Sequence, residues 1–180
     1  MRWEDLFADL ESQWDAEQRR ELDAEVADRT RRERATVTLG DRLAGAGSAD
    51  VSVTVRDGSR VSGQVADVGD GWFLLGETGR APCLVPMAAV VSVTGLAARA
   101  VEGSVARRFG LGYALRAVSR DRAVVRLTDA AGTTCTGTID AVGSDHVELA
   151  EHAADLPRRP ENVTGRRVVP FPAIVLVRPV

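Results

Sequence analysis

Histidines and cysteines are the residue types most often recruited for chemistry, and this chain has two of each: His146 and His152, Cys83 and Cys135. A zinc centre needs ligands at short, fixed spacings, and neither histidine has a partner at such a spacing. A nucleophilic triad needs a base and an orienting acid beside a Ser or Cys, and no Ser/His/Asp order is evident. Both histidines therefore read as surface residues. Gly40, Gly45 and Gly47 do not make a phosphate-cradling loop, since that loop ends in Gly-Lys-Ser/Thr and the chain has no lysine. The two cysteines supply no disulfide framework and read as reduced, buried side chains. No catalytic, metal or cofactor site emerges, so the expectation is a non-enzymatic protein that works by binding.

Two sets of residues are candidates for that binding. The first is arginine, which provides all 23 cationic side chains and whose fork matches phosphate. Residues 1–35 carry eleven acids against seven arginines, a net of −4, whereas residues 104–180 carry eleven arginines against eight acids, a net of +3. The C-terminal part therefore offers a nucleic-acid surface made of Arg107, Arg108, Arg116, Arg120, Arg122, Arg158, Arg159, Arg166 and Arg167. A net of +3 is modest beside a dense basic patch, so this RNA- or DNA-binding regulator is the alternative reading. The stretch from Ser104 to Arg120 has a superficial helix-turn-helix look, but its end falls where a structural helix is expected.

The second candidate surface is an N-terminal helix. Trp3, Leu6, Phe7, Leu10 and Trp14 lie at i, i+3, i+4, i+7 and i+11, one stripe of an α-helix, and no Gly or Pro interrupts residues 2–39. About 30 helical residues span roughly 45 Å, so part of the helix must project or pack on a partner. Two Trp and one Phe on one face are the types enriched at interface hot spots, which favours a protein partner or self-association. A membrane anchor is not expected, because the polar face is acidic. The chain has no apolar run long enough to span a bilayer and starts too acidic for a signal peptide, which points to the cytoplasm.

The rest of the chain repeats itself. Val61-Ser-Gly63-Gln-Val65-Ala-Asp67-Val68-Gly69 through Leu75 recurs as Cys135-Thr-Gly137-Thr-Ile139-Asp140-Ala-Val142-Gly143 through Leu149, with the glycines at a constant offset of 74 residues. Each unit reads as a short helix followed by five strands. In the first, Thr38–Ala46 is the helix, Val51, Val53 and Val55 alternate with polar residues, and Asp57-Gly58 turns the chain into the next strand. In the second, the helix is Tyr113–Val118, and about ten extra residues, rich in Arg and Pro, fall between its third and fourth strands as a surface loop.

This pattern resembles the Sm-like (LSm) fold. The residues carrying the resemblance are Val53-x-Val55-x-Asp57-Gly58, then Gly63-x-Val65 to Trp72-x-Leu74-Leu75, then Leu84-Val85-Pro86-Met87-Ala88-Ala89-Val90-Val91-Ser92-Val93, echoed by Val169-Pro170-Phe171-Pro172-Ala173-Ile174-Val175-Leu176-Val177. The chain as a whole also looks like an uncharacterised actinobacterial family sometimes labelled as Fis-type transcriptional regulators. The Sm-like resemblance implies a mainly β protein with an N-terminal α-helix and two tandem five-stranded small barrels, each preceded by a short helix. The boundaries are residues 1–36 for the acidic helix, 37–97 for the first barrel, 98–111 for a linker, and 112–180 for the second barrel with its insertion at 153–167. The nucleotide-reading positions of RNA-binding Sm-like proteins are replaced here by Gly69 and Gly143, Phe73 and Val147, and Pro86-Met87 and Pro170-Phe171, although Phe73 has a ring that can stack on a base. Prolines at the edge strands weigh against ring assembly and favour pairing of the two barrels within one chain.

Overall fold

The computed structural model of the chain describes residues 3–76, 81–97, 100 and 109–180, with the side chains of residues 3–13, 15, 16 and 33 outside that description. The chain divides into two units, Met1–Thr38 and Leu39–Val180.

The first unit is one helix, α1 (Trp3–Thr36). Its sequence is rich in Glu, Arg, Ala and Leu, which lose little rotamer freedom in a helix. Asp28 accepts from Arg32 at 2.7 Å across one turn, and Arg34 lies in the last turn, where a cation suits the helix dipole. Such exposed pairs contribute only about 0.3–0.5 kcal/mol each. In proteins most helical stability comes from packing of an apolar face, and on α1 Trp14, Leu22 and Val26 are exposed.

The second unit opens with α2 (Leu39–Ala44), anchored by the fully buried Leu43. Five strands follow: β1 (Asp50–Val55), β2 (Arg60–Gly69), β3 (Trp72–Gly76), β4 (Cys83–Pro86) and β5 (Val90–Thr94). Then come α3 (Leu111–Arg120), β6 (Val124–Asp129), β7 (Thr134–Val142), β8 (His146–Glu151), β9 (Gly165–Pro170) and β10 (Ile174–Pro179). Val51, Val53 and Val55 are buried while their neighbours are not, the period-2 pattern of a half-buried strand.

The duplication survives in detail. The β2–β3 ladder shifts register between Val65 and Asp67, and the β7–β8 ladder between Ile139 and Ala141, both 74 residues apart. Each half enters its last strand through a single 3-10 turn, Met87–Ala89 and Phe171–Ala173, introduced by an extended Pro86 or Pro170. This matches Val90 with Ile174 and places the extra residues of the second half between β8 and β9. Gly69 and Gly143 are also matched. A Cβ at either would run into the ring that starts the next strand, Trp72 in one half and His146 in the other.

The ladders do not separate the two five-stranded small barrels expected from the sequence. All ten strands form one antiparallel sheet in the order β5-β1-β2-β3-β4-β10-β6-β7-β8-β9, and the sheet is open. Each half contributes the same internal order, fifth strand first, and the halves meet where β4 pairs with β10. Beneath the sheet lie two hydrophobic clusters that exchange residues. Val175 and Leu176 of β10 pack into the cluster of the first half, while Trp72 and Leu84 of the first half pack into the cluster of the second.

Three further expectations meet the structure here. Both cysteines are buried and neither is in a disulfide, as expected. His152 is not a surface residue. It is 3% exposed, with Nε2 2.9 Å from the Thr138 hydroxyl and Nδ1 2.8 Å from the Ala153 carbonyl, because it closes β8 at the base of the insertion. Phe73 cannot stack on a base, since it is fully buried in the first cluster.

Candidate functional site

Helix α3 organises one side of the second unit. Ala114 and Leu115 point into the second cluster, and the Ser119 hydroxyl donates to the Ile139 carbonyl at 2.9 Å, fixing the helix on β7. The residue leading into the helix is tied to the other half of the sheet. The Phe109 carbonyl accepts from the Trp72 indole N–H at 2.8 Å and from the Asp70 backbone N–H at 3.0 Å. The Phe109 ring stacks on Tyr113 with centroids 4.3 Å apart, and both rings are half-exposed.

Tyr113 separates two depressions. On one side, over the junction of β4 and β10, is an apolar cavity of about 220 Å³ lined by Trp72, Leu84, Tyr113, Val118, Val125 and Val177. Asp121, the C-cap of α3, is the one acidic residue among those that line it. On the other side is a groove of about 380 Å³ between α3 and β7, lined by Tyr113, Arg116, Arg120, Asp140 and Val142. Arg116 donates to the Gly143 carbonyl at 3.2 Å.

Asp140 is the hub of that groove. Arg158, from the insertion, donates to both of its carboxylate oxygens, Nε at 2.9 Å and Nη2 at 2.5 Å. This bidentate bond holds the Asp140 carboxyl below its usual value against the opposing effect of burial, and the charges of Arg166 and Arg122 lower it further. The same bond raises Arg158.

The arginines expected from the sequence thus divide. Arg116, Arg120, Arg122, Arg158 and Arg166 gather around α3 and Asp140. Arg167 is held by Glu151 and Arg159 faces Glu161 at 4.0 Å. Arg107 and Arg108 lie outside the described residues. Sequence reasoning missed Asp140 and the Phe109–Tyr113 pair. The repeat offers a weak signal for the first: Asp140 stands where the first repeat has the uncharged Ala66.

On α1, Trp14 is 68% exposed, and Leu22 and Val26 are exposed as well. The side chains of Trp3, Leu6, Phe7 and Leu10 lie outside the described residues. No group of three His, Cys, Asp or Glu side chains is placed to hold a metal among the described residues, and none of their helices is long and apolar enough to cross a membrane. No family model, no curated protein and no solved structure matches the chain.

Proposed function

We propose that the protein is a non-enzymatic cytoplasmic adaptor that binds a protein partner through α1, with the second unit as two Sm-like barrels joined edge to edge. The observation that carries the docking role is Trp14. An indole two-thirds exposed on a 34-residue helix is a large apolar surface without a cover, and Trp is the residue type most enriched where binding energy concentrates. The barrel reading rests on the matched register shifts, the matched 3-10 turns and the identical strand order of the two halves.

The test is purification of the tagged full chain from its own cells, with and without nuclease, in parallel with Trp14→Ala. The adaptor reading expects a defined protein that survives nuclease and is lost with Trp14→Ala. An unchanged set of partners in the variant overturns it.

A second reading has its own observation. Five arginines converging beside an exposed aromatic pair form a surface suited to phosphate and stacked bases. Nucleic acid recovered from the same purification, with affinity falling steeply as salt rises, favours this regulator over the adaptor.

A further inference from the structure

The cavity beside Tyr113 has a shape and chemistry that one side chain of the same protein matches. Its volume of about 220 Å³ exceeds the roughly 150 Å³ in which a buried apolar cavity holds a benzene ring, so a bicyclic ring is of the right size. Its lining is almost wholly apolar, with Trp72 and Tyr113 in it, and Asp121 is the one lining residue with a carboxylate to accept a hydrogen bond. An indole needs this combination, because its body is apolar and its single N–H must find an acceptor when buried.

Charge matches as well. Arg116 and Arg120 border Tyr113 on one side and Arg122 follows Asp121 on the other. Glu17 and Glu21 follow Trp14 by one and two turns on α1, and Glu17 is held only loosely, at 4.0 Å from Arg20. The chain thus carries an acidic helix with an exposed indole and, in its second unit, an apolar cavity separated by Tyr113 from a groove lined by Arg116 and Arg120.

We propose that the Trp14 indole of one copy enters the cavity over the β4–β10 junction of a second copy, with Glu17 and Glu21 against Arg116, Arg120 and Arg122. This rests on the reading of α1 as a docking helix and names its partner. If each copy offers both helix and cavity to the other, the contact closes on itself as a two-fold dimer.

The experiment is sedimentation of the full chain over a range of concentrations. The wild type is expected to show a monomer–dimer equilibrium. Trp14→Ala and the cavity-filling Ala117→Phe are each expected to raise the dimer dissociation constant by at least roughly 30-fold, the loss of a single hot-spot contact, since each substitution acts at both contacts of a two-fold dimer. Mixing the two variants gives a heterodimer tighter than either variant homodimer and weaker than the wild type, since one of the two contacts is intact, with the cavity from one variant and the indole from the other. Arg116→Glu with Arg120→Glu weakens the dimer, and adding Glu17→Arg and Glu21→Arg recovers it. Circular dichroism establishes that each variant is folded.

Ala117→Phe that dimerises like wild type overturns the cavity assignment and leaves α1 pairing with something else. A wild type that stays monomeric, whether its Trp14 is open to a collisional quencher or shielded by its own cavity, overturns the second copy as the occupant. The adaptor reading fails separately, when partner recovery is indifferent to Trp14→Ala.

Discussion

Val177 of β10 stands opposite Leu84 of β4, and that pairing joins the two halves of the sheet. Both side chains are buried in the second cluster, together with Trp72 from the first half. The halves are therefore not separable bodies, because each cluster is incomplete without residues of the other. Leu84→Ala is expected to cost about 2–5 kcal/mol and to lower the melting of both halves together. Thermal unfolding followed by far-ultraviolet dichroism and by Trp72 fluorescence, in a background lacking the other two tryptophans, should give coincident transitions. Two separate transitions contradict the exchange of core residues.

Trp72 does two jobs at the same junction: it fills the second cluster, and its N–H holds the residue that leads into α3. Trp72→Ala is expected to cost about 3–5 kcal/mol. Trp72→Phe keeps most of the packing and loses the hydrogen bond to Phe109, about 1 kcal/mol by itself. Chemical denaturation of the two variants separates these contributions. Equal losses would mean that the hydrogen bond is the dominant part.

The Asp140–Arg158 pair predicts a pH dependence of known sign. The folded-state value of Asp140 lies below its ordinary 3.8, so its contribution is complete above that pH and fades as the pH falls through the lower folded value. Solvent reaches both partners, which keeps the effect small. Asp140→Asn should be less stable than wild type at neutral pH, and the gap should narrow below pH 3.8. A gap that widens in acid would contradict the assignment.

Burial pushes the Cys135 thiol above its usual range, more than the Arg167 charge lowers it. Cys83 is equally enclosed. Neither should react with a thiol-specific disulfide reagent in native protein at mildly alkaline pH, and both should react after denaturation. Rapid modification of either in the native state would show that its cluster opens.

His152 and Thr138 form a buried polar pair beneath the insertion. Thr138→Val leaves the imidazole nitrogen without its partner, at an expected cost of about 1–3 kcal/mol. Loss of order in residues 153–164, read by limited proteolysis, should accompany it.

The strands could be read in advance because period-2 burial and the 74-residue repeat are both local in sequence. The junction could not be read that way. Nothing near Val175 or Leu176 says that they complete a cluster formed mostly by residues 43–90, since that is decided by which strand edge finds which. His152 shows the same limit, because its partner Thr138 lies across a strand pair. The Trp14 stripe was visible as helical spacing, and its exposure required coordinates.

The exchange of Val175 and Leu176 also sets an order in time. Ile174 leaves the ribosome about 80 residues after Thr94, roughly 4–16 s later at about 5–20 residues per second. Through that interval the strands of the first half are synthesised but their cluster lacks its last two members and β4 lacks its neighbour. Until its own β10 is made, the nascent chain thus presents an unpaired strand edge beside an unfilled apolar site.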